Sequence, residues 1–173
     1  MGRLISLFMF GWLFLLAPLS SATAEANLPN TCPQDVNDLW DNCHGKYTDS
    51  EGGTYEGEWR SNKFHGLGKL TSADGTTISG EFQEGELNGY AIFKGADRSV
   101  YHGEWKNGVM HGYGKLVANN GTAMEGMFQD GKIADGNIIL DYQNGARYLG
   151  GFKGNEFDGP GLLIDVGGAQ YRG

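Results

Sequence analysis

Histidine, glutamate and cysteine are the residue types in this 173-residue chain that could bind a metal ion or take part in catalysis. Among the histidines, His65 and His111 occupy equivalent places in two similar stretches, 46 residues apart. In a sheet with about 4.8 Å between strands, we expect these two residues to lie roughly 19 Å apart. Residues at that distance cannot share a metal ion whose bonds are about 2 Å long. We therefore interpret them, with His44 and His102, as polar residues near hairpin tips and predict no metal site.

A series of glutamates alternates with glycine and aromatic residues. We expect their carboxylates on the sheet face opposite the aromatic rings, where Lys69 and Lys115 also lie. Cross-strand ion pairs then explain them, at a modest gain in stability. Calcium bridging between repeats is the alternative, although neighbouring equivalents are about 10 Å apart. The glutamates are Glu56, Glu58, Glu81, Glu104 and Glu125.

Signatures of catalysis and of polyanion binding are both missing from the sequence. There is no Gly-x-Ser-x-Gly motif, and Gly114-Lys115-Leu116 lacks the earlier glycine and the following hydroxyl of a phosphate-binding loop. The formal net charge of −8 disfavours nucleic acid and anionic lipid, which both attract clustered Lys and Arg. We therefore predict no catalytic residue, no cofactor and no nucleic-acid partner. Asn120 begins an Asn-Gly-Thr glycosylation acceptor that is relevant in a eukaryotic source.

Glycines repeat along the chain at a fixed period. This period predicts the secondary-structure elements that carry the histidines and glutamates described above. Two series step by 23 residues and slip once to 24, so one residue is inserted between Gly126 and Gly136. The first series is Gly57, Gly80, Gly103, Gly126 and Gly150, and the second is Gly66, Gly89, Gly112, Gly136 and Gly159. Five repeats follow from this pattern, with a half repeat before them and the start of another after them.

Large apolar residues flank each glycine of the first series at minus two and plus two. This period of two predicts a strand with one apolar face, and Asn107-Gly108 and Asp130-Gly131 predict turns to a second strand. A lone hairpin is marginal in water, so the hairpins are expected to pair into one sheet of twelve strands. The glycines leave space for a ring lying across the strand. The flanking residues are Tyr55, Trp59, Ile78, Phe82, Tyr101, Trp105, Met124, Phe128, Tyr148 and Phe152.

The unit Tyr-x-Gly-x-Trp followed by His-Gly-x-Gly-Lys-Leu resembles the MORN repeat (membrane occupation and recognition nexus). The resemblance covers residues 45–173, with departures at Ile78, Met124 and Ile138. It implies an all-β fold, an elongated single-layer antiparallel sheet of stacked hairpins. It also implies a module without catalysis, used for protein contact, dimerisation or attachment near membranes.

Residues 1–24 have the pattern of a cleavable signal peptide. Arg3 precedes an apolar run, Pro18 ends it, and Ala22-Thr23-Ala24 fits the small-x-small cleavage rule. The alternative is a retained anchor, although the run is shorter than the roughly 20 residues of a spanning helix. We predict a secreted or periplasmic protein.

Residues 25–44 are predicted to form a helical cap on the first edge of the sheet. Thr31 can cap a helix, and Val36, Leu39 and Trp40 share one helical face.

Cys32 and Cys43 lie within this predicted cap and are the only cysteines, so export predicts a disulfide between them. Closing its loop is worth roughly 3 kcal/mol in the chain-entropy model. A redox-active or metal-bound pair is the alternative, but the spacing fits no Cys-x-x-Cys motif.

The face opposite the aromatic rings changes character along the chain. In repeats one to three it carries mostly charged residues, whereas repeats four and five place Met127, Ile139, Leu149 and Leu162 there. We predict that this C-terminal patch mediates self-association or docking of a protein partner. The alternative is a sheet that curls, or a flanking segment that covers the patch.

Two other functions compete with protein docking. One is a membrane-surface tether that acts after export. The other is a glycan-binding module that uses Trp59 and Trp105 as exposed stacking platforms.

Overall fold

A computed structural model describes residues 30–173. The predicted signal peptide, residues 1–24, lies outside the described residues, as does the first part of the predicted cap. Within residues 30–173, no helix is long and apolar enough to cross a membrane.

The described residues form a single sheet of 14 strands, nearly all of which pair with their neighbours in the sequence. Pairing is antiparallel throughout except between β1 and β2, which run parallel. The strands are β1 Asn30–Thr31, β2 Cys43–Thr48, β3 Thr54–Arg60, β4 Lys63–Thr71, β5 Thr77–Gln83, β6 Glu86–Lys94, β7 Val100–Lys106, β8 Val109–Val117, β9 Ala123–Gln129, β10 Lys132–Ile133, β11 Gly136–Asp141, β12 Arg147–Lys153, β13 Glu156–Ile164 and β14 Gln170–Arg172. The predicted all-β sheet of hairpins is therefore confirmed.

Each hairpin reverses through two residues in the left-handed region of backbone space. Asn107 and Gly108 have φ of 49° and 75°, and Asp130 and Gly131 have φ of 50° and 78°. Turns with two positive φ values match the right-handed twist of the strands that they join. The turn residues identified in the sequence thus lie where the chain reverses.

Repeat four departs from this regular form. Its extra residue breaks the second strand of the hairpin into β10 and β11, and β10 pairs only with β9. As a result, β9 and β11 share only three residue pairs, from Ile139↔Glu125 to Asp141↔Ala123. The twelve predicted strands are present, with one of them split in two and with β1 added.

The predicted N-terminal helix is wrong, since no helix forms within residues 30–173. Residues after β1 form a bent loop in which the Asp35 carboxylate accepts a hydrogen bond from the backbone N–H of Asn37 at 2.9 Å. Of the three apolar residues expected to share a face, only Trp40 is buried, while Val36 and Leu39 are 62% and 64% exposed. A helix with one buried side chain has too little apolar area to hold it together.

The disulfide between Cys32 and Cys43 is present and holds this loop against the sheet. Trp40 packs edge-on against Trp59 with ring centroids 4.8 Å apart. Gly45 lies directly beneath, since a Cβ there would be 2.8 Å from the Cβ of Cys32. The loop therefore covers the first edge of the aromatic face without being helical.

The core lies on one face of the sheet, where rings from successive strands pack on one another. Tyr55 stacks on Phe64 with centroids 3.8 Å apart and meets Phe82 edge-on at 5.2 Å. The edge-to-face contact with Phe82 is of the kind that the ring quadrupole favours. A second cluster around Ile138, Leu140, Tyr148 and Phe152 continues this face through repeats four and five. We call this side the aromatic face and the other side the opposite face.

Three buried tyrosines explain the central glycines. The Tyr101 ring lies across Gly103 and Gly114, where a Cβ on Gly114 would be 2.3 Å from the tyrosine oxygen. Its hydroxyl donates to the carbonyl of Glu104 at 3.2 Å, next to a β-bulge that interrupts the ladder. Tyr55 and Tyr148 repeat this arrangement with the carbonyls of Glu58 and Gly151.

Where the tyrosine is missing, its glycine partner is missing too. Repeat two has Ile78, and Gly80 pairs with Ala91. Repeat four has Met124, and a Cβ added to Gly126 would lie 3.1 Å from the Cγ2 atom of Ile138. A larger side chain across the ladder fills the volume that the tyrosine ring occupies elsewhere.

Candidate interaction surface

The opposite face carries one continuous row of side chains in direct cross-strand register. The row crosses twelve strands, and each member is paired with the next. We call it the register row. Its members are Lys46, Glu56, Lys69, Ser79, Ile92, His102, Lys115, Glu125, Ile139, Leu149, Leu162 and Arg172.

The predicted C-terminal patch occupies the end of this row. Ile139 pairs with Leu149, and Leu149 pairs with Leu162, on β11, β12 and β13. All three are half-buried by their neighbours, whereas Met127 on β9 is 52% exposed. Directly opposed side chains on neighbouring strands have Cβ atoms about 5 Å apart, so the three aliphatic residues form one continuous apolar strip. Glu125 and Arg172 are its immediate neighbours in the row.

The glutamates do not act mainly as cross-strand ion-pair partners. Glu58 accepts a hydrogen bond from the backbone N–H of Leu67, and Glu104 from that of Tyr113, each at 3.2 Å. Both carboxylates lie over a glycine with positive φ, Gly66 or Gly112, so a Cβ there would collide with the carboxylate. Of the predicted glutamate–lysine pairs, Glu56 and Lys69 are in register but form no ion pair among the described residues.

One predicted ion pair does form, within a small polar network. Lys115 lies 3.4 Å from Glu125, whose carboxylate also accepts a 2.6 Å hydrogen bond from the Tyr113 hydroxyl. The hydrogen bond from Tyr113, aided by Lys115, lowers the pKa of Glu125 below its ordinary value. The same hydrogen bond raises the pKa of Tyr113. Glu125 is therefore held as a carboxylate beside the apolar strip.

A second exposed row lies beside the register row. Leu67, Tyr90, Tyr113 and Met127 all project from the opposite face and are more than half exposed. Shallow grooves of about 620 Å³ and 460 Å³ lie on either side of Tyr90. Of these four residues, Met127 is a member of the predicted C-terminal patch.

Neither tryptophan that was expected to stack on a glycan is freely exposed. Trp59 is buried, and its indole N–H donates to the carbonyl of Gly45 at 3.2 Å. Trp105 packs edge-on against Tyr101 with centroids 5.4 Å apart. Both rings belong to the aromatic face, as their period-two spacing indicated.

His65 and His111 lie on β4 and β8, four strands apart in the sheet. Among residues 30–173, no group of three His, Cys, Asp or Glu side chains converges in a way that could hold a metal ion. The calcium bridge considered for the glutamates therefore has no counterpart in the described part of the chain.

The bulge contacts of Tyr55, Tyr101, Glu58 and Glu104 were not predicted from the sequence. A signal was present, because a glutamate follows the glycine two residues after each of these two tyrosines. The bulge does not disturb the alternation of side chains on either side of it. The period of two in the sequence therefore does not reveal the bulge.

The family model for the MORN repeat matches residues 55–77, 79–100, 101–123 and 148–170. No curated protein matches the chain. Among similar solved structures is the TCP domain of SAS-4 (dCPAP) from Drosophila melanogaster, in complex with a proline-rich motif of Ana2 (dSTIL). The two chains are 16% identical, the match covers 84% of this chain and 97% of that one, and the TM-score is 0.29.

MORN repeats generally serve as interaction modules and are typically non-catalytic. Four matched segments cover more than half of the sequence, and they coincide with hairpins whose tyrosine, glycine and aromatic positions repeat in space. The interval between them holds repeat four, with its inserted residue and its split strand. On these grounds, the chain belongs to the MORN repeat family.

Proposed function

We propose that this MORN-repeat chain is an exported, non-catalytic protein-interaction or scaffold module that docks through its C-terminal patch. The observation that carries the proposal is the direct register of Ile139, Leu149 and Leu162 on one face. A continuous apolar strip in register offers a partner a surface that is already ordered.

The contrast along the register row supports the choice of surface. The equivalent positions in repeat one hold Glu56 and Lys69, which keep that part of the face solvated. An apolar strip flanked by charged residues is the usual anatomy of an interaction site. Within residues 30–173, the strip is bordered by β14, which pairs with β13.

Export is supported by the sequence of residues 1–24 and by the disulfide. A pair of cysteines joined in a small domain is typical of an oxidising compartment. The acidic composition supports a protein partner over an anionic membrane surface.

The test replaces the strip with a charge pair. Leu149→Glu with Leu162→Lys places opposite charges on directly opposed positions, so strand pairing is expected to survive. We expect an unchanged β-sheet circular dichroism spectrum and the loss of whatever the disulfide-intact protein retains in a pull-down from its own source.

A matched control introduces the same charges at the corresponding register position of repeat two. Ser79→Glu with Ile92→Lys alters another directly opposed pair on the same face. Retention by the control and loss by the patch variant supports the proposal. Equal retention by both variants contradicts it, and salt-resistant binding to anionic vesicles would favour a membrane tether.

A further inference from the structure

The charges that flank the apolar strip are arranged symmetrically about its centre. Leu149 lies in the middle of the apolar strip, with Ile139 one strand before it and Leu162 one strand after it. Glu125 lies two strands before and Arg172 two strands after. Reversing the order of these last five members of the register row therefore exchanges an acid with a base and one aliphatic residue with another.

We propose that the occupant of the patch is a second copy of this chain, bound face to face about a two-fold axis that runs parallel to β12 above Leu149. Rotation about such an axis turns the opposite face of one copy towards that of the other and reverses the row. Leu149 then meets its own equivalent, Ile139 meets Leu162, and Glu125 meets Arg172 at both ends. The proposal deepens the proposed function and rests on it for the choice of surface.

Electrostatics favours this pairing of two copies. Glu125 is kept ionised by the Tyr113 hydroxyl and Lys115, and Arg172 is exposed and forms no ion pair within residues 30–173. An acidic and a basic residue at opposite ends of one apolar strip give a surface that complements itself.

Arg147 also lies on the proposed axis, on β12 two residues from Leu149, so it would face its own equivalent. Its guanidinium is already paired with Asp141 of the same copy. Two such pairs across the axis form a neutral group of four charges, and no unbalanced like charge is brought together. Sheets packed face to face keep their strands roughly aligned about 10 Å apart, which long Glu and Arg side chains can span.

The strip and the two charged residues that flank it span about four strand spacings, or roughly 19 Å, which is narrow for a stable dimer. Because it is smaller than a standard interface, we expect a dissociation constant on the order of 10 µM. Sedimentation velocity over a series of concentrations should therefore show a monomer–dimer equilibrium.

The decisive experiment uses two single charge reversals, Glu125→Arg and Arg172→Glu. Alone, each variant places like charges opposite one another at both ends of the strip, so we expect at least tenfold weaker dimerisation. An equimolar mixture restores an acid opposite a base at both ends, and a mixed dimer of about parental affinity should form. The mixture contains the same two proteins that were tested alone. If either variant dimerised weakly because it was misfolded, mixing would not restore dimerisation.

Tyr90→Glu serves as a control, since it adds charge to an exposed residue of the same face outside the strip. It should leave the dimer unchanged. Failure of the mixture to recover, or equal weakening by the control, overturns the proposed axis. A parent protein that stays monomeric up to about 1 mM overturns self-association altogether. If a pull-down partner is then still lost with Leu149→Glu and Leu162→Lys, the proposed function stands without the dimer.

Discussion

The buried tyrosines stabilise the points at which the hydrogen-bond ladder of the sheet is interrupted. The Tyr101 hydroxyl donates to the carbonyl of Glu104 beside a bulge, and its ring occupies the space above Gly103 and Gly114. A carbonyl left without a donor at such a site would cost about 1–3 kcal/mol. Tyrosine and glycine are thus one unit at this position, and neither can be replaced independently.

A double-mutant cycle tests this coupling. Gly114→Ala should destabilise by about 1–3 kcal/mol, since its Cβ would overlap the Tyr101 ring. Tyr101→Ile should cost about 3 kcal/mol through the lost ring. The double variant reproduces the combination of Ile78 and Ala91, so it should be more stable than additivity predicts by at least about 1 kcal/mol in urea unfolding.

Gly114→Ala combined with Tyr148→Ile provides the control for that cycle. Tyr148 lies on β12 and covers Gly150 and Gly161, so it makes no contact with residue 114. These two changes should add independently. Additivity in the first cycle would show that ring and glycine are not coupled.

Because Tyr55 and Tyr101 are buried, the stability of the folded protein should depend on pH in the alkaline range. Burial raises the pKa of Tyr55 and that of Tyr101 to about 12, whereas an unfolded tyrosine ionises near 10. The folded state therefore binds the phenolic protons more tightly. The stability that these two phenols contribute is fully present below about pH 10 and is lost as the pH rises from 10 towards 12.

Urea midpoints measured across this range, with tyrosinate absorbance as a second signal, check the expectation. Tyr101→Phe should reduce the slope, and so should Tyr55→Phe, because each removes one buried phenol with a raised pKa. An unchanged slope in both variants would show that the buried phenols are not the titrating groups.

At the scale of elements, the disulfide loop closes the first edge of the aromatic face. It places Trp40 on Trp59 and Cys32 over Gly45. Cys32→Ser with Cys43→Ser should lower stability by roughly 3 kcal/mol because the loop of about 12 residues is no longer closed. The melting temperature should fall while strand content, measured by circular dichroism, stays the same.

Trp40→Ala serves as a companion to the cysteine variant. It keeps the disulfide but removes the ring that packs on Trp59, so it should also lower the melting temperature. An unchanged melting temperature in the cysteine variant would contradict the role of the loop as a cover.

Strands, turns and faces could be predicted from the sequence because the same pattern of residues occurs in every repeat. The period of two around Gly57 or Gly103 fixes which side chains share a face of the sheet. Five copies of the pattern support an assignment that would be ambiguous from a single copy. The cap had no such repetition. Val36, Leu39 and Trp40 have helical spacing, but only Trp40 finds a partner, and that partner lies in another element.

The patch could be predicted in part for the same reason. Alternation placed Ile139, Leu149 and Leu162 on the opposite face. The direct register of Leu149 with Leu162 also depends on the bulge that shifts the pairing of β12 with β13 between Gly150 and Phe152. The insertion in repeat four could be located by counting residues. Its result, a strand split into β10 and β11, depends on which backbone groups can still pair.

On the scale of the whole molecule, the sheet is a one-dimensional array in which each hairpin contacts only its neighbours. The stability of such an array is approximately the sum of the intrinsic stabilities of its repeats and of the interaction free energies between neighbouring repeats. The hairpin of repeat four has five residue pairs, two between β9 and β10 and three between β9 and β11, while the hairpin of β7 and β8 has six. Because its second strand is also split, we expect this junction to be the weakest among the five repeats.

Hydrogen exchange should resolve this junction. We expect amides of β11 to β14 to exchange through openings that cost less free energy than those exposing β4 to β8. Mass spectrometry of exchanged peptides checks the order. Uniform protection across both regions would mean that the sheet opens as one unit.

The processing of the chain can be checked on the protein isolated from its source. Cleavage after Ala24 would give a mature protein that begins at Glu25. N-terminal sequencing should find that residue, or Asn27 if the rival site at Ala26 is used. A protein that begins at Met1 would contradict the prediction of a cleaved signal peptide.

The fit between tyrosine and glycine also restricts how a duplicated repeat can diverge. A side chain gained at the glycine alone would meet the ring already in place, with a contact as short as 2.3 Å at Gly114. Loss of the ring alone would leave a void. Because either single change is destabilising, divergence from this unit favours substitutions that occur as pairs. Repeats two and four carry such pairs, Ile78 with Ala91 and Met124 with Ile138.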